Sequence, residues 1–185
     1  NNPKKWKKKK LRNKILVYRR NNYKIASLKY FLLKDVLNKF NLSKYKKIGV
    51  YYPINHEIDS LEIIKQLEKS GYKISLPITR KENKMDFFEW SSKDPLFIGK
   101  IGIPEPSPKK KIYPDILLVP LVAFNKNKFR LGYGGGYYDR YIEKINKIKK
   151  ILTIGMAFSF QEVKILPVNQ YDKKLDFIFT ENYIK

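Results

Sequence analysis

The sequence predicts an α/β layered domain, and three observations carry that prediction. Short β-rich apolar runs alternate with amphipathic helical runs, without internal repeats, which is the pattern of a sheet covered by helices. The run DILLVPLVAF at 115–124 is the most continuous apolar segment, as expected of a strand buried on both faces of a parallel sheet. Glycine, only 9 residues in the whole chain, is concentrated just after that run at Gly132, Gly134, Gly135 and Gly136, immediately before a helix-like stretch. A strand leading through bare backbone into a helix is where open α/β sheets hold ligands.

The elements follow in order. Residues 3–20 open with the basic run KKWKKKK and place Leu11, Ile15 and Tyr18 at helical spacing, predicting a basic N-terminal helix. Residues 23–41 carry Ile25, Leu28, Phe31, Leu32, Val36, Leu37 and Phe40, a second helix with a broad apolar face for packing on a sheet. KKIGVYYP at 46–53 reads as a strand ended by Pro53; the loop NHEID follows, and Asp59 or Ser60 caps a helix running through Lys69 to a stop at Gly71. YKISLPITR at 72–80 is a strand ended at Pro77, and MDFFEW at 85–90 is a third strand forming half of a hairpin. The next segment, with Gly99, Gly102, Pro104, Pro106 and Pro108, is too rich in proline for a regular element and reads as a long loop. Beyond the glycine stretch come a helix over 136–147, a strand at 151–158, a loop at 161–176 and a last strand, DFIFT.

Composition sets limits on function. A chain of 185 residues with 43% hydrophobic and 15% aromatic residues suits one globular domain over 1–185 and excludes the disordered class. The absence of cysteine excludes disulfides, thiolate metal sites and thiol nucleophiles, and the single histidine, His56, excludes a histidine-rich metal site. His56 is expected to be an exposed loop residue. No run approaches the ~18 apolar residues of a membrane span, and the opening residues lack the apolar core of a signal peptide, so a cytoplasmic protein without a membrane partner is expected. The formal charge of +23 invites a nucleic-acid or membrane reading, but the lysines are dispersed through every segment. The arginines, at 12, 19, 20, 80, 130 and 140, are the more informative cations because their planar fork clamps phosphate and carboxylate.

Within RLGYGGGYYDRY at 130–141, a cation, aromatic faces and a carboxylate surround bare backbone that leads into a helix N-terminus. Such N–H groups are suited to phosphate, and the surroundings point to a nucleotide.

VPLVAF followed by RLGYGGGYYDRY resembles the signature of the 5-formyltetrahydrofolate cyclo-ligase family, also called methenyltetrahydrofolate synthetases. KKKKLR, VYYPINHEID, the GIPEP loop, YPDILLVP and LPVNQYDKKLD resemble that family too, in its order and spacing, over nearly the whole chain. The resemblance implies a three-layer α/β/α sandwich with a largely parallel central sheet and a basic N-terminal helix. It implies an enzyme that uses ATP and Mg2+ to convert 5-formyltetrahydrofolate into 5,10-methenyltetrahydrofolate, ADP and phosphate. In that scheme the formyl oxygen attacks the γ-phosphate and N10 then attacks the formyl carbon. Carried over residue by residue, Lys8 and Arg12 match ATP-phosphate contacts, with Lys9 and Lys10 as alternatives in the same lysine run. Arg130, Leu131, Gly132, Tyr133, Gly134, Gly135, Gly136, Tyr137 and Tyr138 match the nucleotide loop, and Arg130, Lys8 and Arg12 the catalytic cations. Tyr52 and Glu57 match folate contacts, with 133–137 on the folate side of the loop. Asp139 and Asp172 match the magnesium positions, and Asp176 supports the loop. Lys173 and Lys174 depart from the family's small apolar or proline residues.

The resemblance also implies a monomer with no specific nucleic-acid partner. Two other readings compete: a basic nucleic-acid-binding domain, which needs aromatics interleaved with basic residues on a sheet face, and a sugar-phosphate isomerase-like enzyme. For the second no acid and lysine arrangement is found.

Overall fold

The computed structural model describes residues 3–24, 28–39 and 47–185. Its elements are α1 (Pro3–Asn22), α2 (Tyr30–Lys39), β1 (Lys47–Gly49), α3 (Leu61–Lys69), β2 (Lys73–Arg80), β3 (Lys84–Glu89), β4 (Phe97–Ile98), β5 (Pro104–Glu105), β6 (Lys111–Ile112), β7 (Ile116–Pro120), β8 (Ala123–Phe124), β9 (Arg130–Leu131), α4 (Tyr137–Asn146), β10 (Leu152–Met156) and β11 (Phe177–Phe179). A seven-stranded sheet runs in the order β11-β10-β7-β1-β2-β3-β6. β11, β10, β7, β1 and β2 are parallel, and β3 and β6 add antiparallel at one edge.

The period of two along the strands builds the layers. In β7, Ile116 and Leu118 point with Ile154 and Met156 of β10 into a core shared with Leu33 and Leu37 of α2 and Ile63, Ile64 and Leu67 of α3. Leu117 and Val119 point the other way, into a core with Tyr141, Ile142 and Ile145 of α4. A strand apolar on both faces therefore sits between two helical layers, the sandwich expected. The helix predicted over 23–41 is observed at Tyr30–Lys39; residues 23–24 and 28–29 are not helical, and 25–27 and 40–41 lie outside the described residues. α3 starts where expected. Ser60 occupies the N-cap without a side-chain cap bond, and it is Asp59 whose Oδ1 accepts from the Leu61 N–H at 2.8 Å.

Five expectations change, beginning with β1, which ends at Gly49 and not at Pro53. β2 does not end at Pro77 but continues to Arg80, because β1 pairs only with residues 73–75 and Pro77 has a ladder partner on one side alone, Phe87 of β3. The missing proline N–H falls where no strand needs it. The segment 115–124 is not one strand: β7 stops at Pro120, and the chain leaves the sheet to form a two-stranded ladder of β8 with β9. The carbonyls freed there are satisfied by Gln161, whose Nε2 donates to Leu121 O and Val122 O at 3.0 and 2.9 Å, and by Arg19. The proline-rich loop contains the β4–β5 hairpin and the edge strand β6. Glu105 ties that hairpin to β2 by accepting from the Thr79 N–H and hydroxyl at 3.1 and 3.0 Å. In α1, Ile15 is buried as predicted but Tyr18 is half exposed, and the fully buried residue is Arg19.

A Cβ at Gly49 would lie 2.8 Å from Leu117 and 2.9 Å from Phe87, both fully buried. Gly49→Ala is therefore expected to cost about 1–3 kcal/mol through overpacking. The shift in urea midpoint at unchanged m-value measures it.

Candidate functional site

At the carboxyl ends of the parallel strands lies a cleft of about 780 Å³. It is lined by Lys8 and Arg12 from α1, Tyr52 and Glu57 from the turn after β1, the glycine stretch 130–136, Tyr137, Tyr138 and Asp139 from the start of α4, and Asp172, all singled out in the sequence. α1 supplies one wall through Lys8 and Arg12, which share its inner face with Ile15 and Arg19 at spacings of three or four. Ile15 anchors that face against Val122, Ala123 and Leu131.

The glycine stretch is shaped by backbone conformation and held by arginines. Gly134 (φ 107) and Gly136 (φ 71) occupy the left-handed region that side chains resist, and Gly136 is the N-cap of α4. No side chain caps that helix. Arg12 Nε donates to Gly132 O and Arg140 Nη1 to Gly135 O, each at 2.7 Å.

The acids are paired with cations. Lys8 Nζ lies 2.6 Å from Asp172 Oδ2, and Arg130 Nη2 lies 2.8 Å from Asp139 Oδ1. Lys5 and Lys9 also line the cleft, whereas Lys10 lies over the ring of Trp6 at 5.2 Å. The Arg130 side chain is 5% exposed, and its Nε has no partner among the described residues. Burial pushes this guanidinium down while Asp139, Tyr138 and Asp172 push it up, so both aspartates act on one arginine. No cluster of three or more His, Cys, Asp or Glu side chains able to hold a metal occurs among the described residues. Asp139 and Asp172 are thus two carboxylates without a third. Asp176 faces away, with Oδ2 accepting from Thr153 N and Oγ1 at 2.8 and 3.1 Å.

The other end of the cleft is built on Glu57. Its Oε2 accepts from the Ile54 N–H at 2.8 Å, and its Oε1 accepts from the Tyr133 hydroxyl at 2.8 Å. Burial raises its pKa to about 7, opposed by those two donors and by Arg19. His56 is exposed, as expected, although it and Asn55 take left-handed conformations (φ 59 and 50).

Sequence reasoning missed Arg19, which joins this end of the cleft to α1. Its Nη2 donates to Tyr133 OH at 2.5 Å and to Asn55 O at 2.7 Å. The signal was present in the spacing, because residue 19 continues the inner face of residues 8, 12 and 15. Also missed were Thr79, Met85, Ile101, Ile103 and Glu105. They come from β2, β3 and the hairpin that the prolines had concealed.

The fold and the cleft define the class first: a layered α/β enzyme whose cleft, walled by cations and aspartates, opens at the ends of parallel strands. The model of the 5-formyltetrahydrofolate cyclo-ligase family matches residues 4–181. The chain is 31% identical over 149 residues to the 5-formyltetrahydrofolate cyclo-ligase of Haemophilus influenzae, covering 77% of this chain and 79% of that one. It is 29% identical over 144 residues to that of Escherichia coli K12, covering 74% and 79%. The solved structure of Aquifex aeolicus 5,10-methenyltetrahydrofolate synthetase superposes with a TM-score of 0.76 at 31% identity, over 96% of this chain and 91% of that one. The corresponding Mycoplasma pneumoniae structure gives 0.70 at 25% identity, over 94% and 98%. The chain belongs to the 5-formyltetrahydrofolate cyclo-ligase family and is a ligase.

A raised carboxyl pKa has a measurable consequence. Between 4.5 and about 7 the folded chain holds the Glu57 proton that the unfolded chain releases, so stability falls as pH rises through that window. The loss amounts to about 3 kcal/mol at most. Glu57→Gln should remove this slope, as read from urea midpoints at about pH 5 and about pH 8.

Proposed function

We propose that the cleft converts 5-formyltetrahydrofolate into 5,10-methenyltetrahydrofolate, using ATP and magnesium and releasing ADP and phosphate. One observation carries this reading: cations, glycine backbone and two aspartates occupy one part of the cleft, and a buried acid with aromatic neighbours occupies another. A triphosphate needs the first environment and a pterin with its amino and amide donors needs the second. ATP supplies the phosphoryl group that turns the formyl oxygen into a leaving group, and N10 then closes the ring on the formyl carbon as phosphate departs.

The protein's share is placement and charge. Phosphoryl transfer asks for neutralised oxygens and in-line alignment more than for covalent help. Lys8, Arg12 and Arg130 bind phosphate oxygens and hold them in place. The N–H groups of 134–138 approach the same oxygens where glycine leaves the backbone bare. Asp139 and Asp172 fit magnesium, which commonly takes one or two carboxylates and completes its shell with phosphate and water. Each lies one hydrogen bond from a cation suited to phosphate. Tyr52, Glu57 and the rings of 133–137 receive the folate, with the Glu57 carboxylate accepting from the pterin. The enzyme acts as a monomer in the cytoplasm without a nucleic-acid partner.

Purified protein given 5-formyltetrahydrofolate and Mg-ATP should form the methenyl product, followed by its ultraviolet absorbance at acid pH. A folded sample that binds ATP yet forms no product above an enzyme-free control overturns the reading. Asp172→Asn should lower turnover by about a hundredfold with little change in melting temperature, since an amide oxygen can still accept from the Asn169 N–H that Asp172 Oδ2 meets at 2.7 Å. Asp139→Ala should behave differently. It strips a buried arginine of its carboxylate and is expected to cost about 3–5 kcal/mol of stability as well as turnover.

A further inference from the structure

Arg19 has no exposed surface, yet it makes contact with three separate parts of the chain. Nε and Nη2 donate to Asn55 O at 3.1 and 2.7 Å, Nη1 donates to Leu121 O at 3.2 Å, and Nη2 also meets the Tyr133 hydroxyl at 2.5 Å. Its guanidinium lies 5.7 Å from the Tyr133 ring centroid. Asn55 and His56 are consecutive non-glycine residues in the left-handed region, an arrangement that costs energy and persists only when its surroundings hold it. Glu57 comes next and closes the same turn through its N–H to Ile54 O at 2.9 Å. The guanidinium therefore grips the backbone of the turn that presents Glu57. Through the Tyr133 hydroxyl, which donates a hydrogen bond to Glu57 Oε1 at 2.8 Å, it also grips the carboxyl itself.

We propose that Arg19 is a positioning residue for substrate recognition: by fixing the Asn55 carbonyl and the Tyr133 hydroxyl it sets the place and orientation of the Glu57 carboxyl that the folate must meet. This rests on the reading of Glu57 as the pterin acceptor. Arg19 lines neither wall of the cleft and touches no substrate; it acts through Tyr133 and the turn. Glu57 must be ionised to accept two donors from a ligand, and burial opposes that. The groups that bear on Glu57 are Arg19 from α1, Tyr133 from the glycine stretch, Tyr51 beside β1 and Tyr138 from α4. Arg19 is the one cation among them, and with the Tyr133 hydroxyl it favours the ionised form.

The test uses Tyr133→Phe, which removes a single hydroxyl, beside Arg19→Gln, with thermal melting to establish that each folds. Loss of one hydrogen bond to a charged group should raise the KM for 5-formyltetrahydrofolate about tenfold in Tyr133→Phe. Arg19 lines no part of the cleft, and in Arg19→Gln the KM for 5-formyltetrahydrofolate should rise several-fold more than that for Mg-ATP. The pH midpoint for folate binding should move upward in both variants. So should the Glu57 carboxyl titration followed by carbon NMR without substrate. A folded Tyr133→Phe with unchanged folate KM, or an Arg19→Gln that weakens folate and Mg-ATP alike with an unmoved Glu57 titration, overturns the proposal. Should the unsubstituted protein fail to bind 5-formyltetrahydrofolate, the functional reading fails and takes the recognition role with it. The NMR titration needs no substrate, so it identifies that case separately.

Discussion

A guanidinium with no contact with water must find an acceptor for its N–H groups, and much of this site is arranged around meeting that demand for Arg19. The acceptors come from the turn after β1, from the break after β7 and from the glycine stretch. These are the places where the chain leaves the sheet and where backbone carbonyls have lost their ladder partners. α1 thus completes a set of hydrogen bonds that the sheet leaves open. The same helix face then carries Arg12 to Gly132 O and Lys8 to Asp172. One buried cation sets the register of the helix, and the register delivers the two half-buried ones.

The layers were legible because each rests on a strong local pattern. The run at 115–124 is apolar at consecutive positions because both faces of β7 are covered, and α2 shows a broad apolar face because it covers one side. The cleft was legible from glycine density and family likeness, and the residues so identified do line one cavity. What the sequence concealed has a physical basis. Pro77 and Pro120 look alike as letters, but one sits where a neighbouring strand has already ended and the other where the chain departs the sheet. The β4–β5 hairpin has two-residue strands and no periodicity to read. Arg19 was hidden by expectation, since a charged residue in a basic helix is normally solvated.

The large positive charge is a weaker guide to function than its sign suggests. Four arginines, at 12, 19, 130 and 140, bond to the glycine stretch or to the first turn of α4, to carbonyls, a hydroxyl and a carboxylate. Several lysines instead pair with acids outside the cleft, as Lys144 and Lys111 do with the buried Asp86. Arginine's planar fork explains the division, because it can serve several fixed acceptors at once where an ammonium serves as a point charge. In the cleft Lys8 is paired with Asp172 and Arg130 with Asp139. An anion arriving with a metal would replace one set of matched charges by another.

The pairing of Lys8 with Asp172 joins positions 164 residues apart, and Arg12 reaches 120 residues to Gly132. Contacts of such range form late, because the chain loses the entropy of a very long loop before they repay it. During synthesis, α1 emerges with its row of cations well before the acids and carbonyls that will receive it. The basic helix must wait, exposed, for most of the protein to be made. A chain truncated before residue 172 would present those cations without the acid that Lys8 meets.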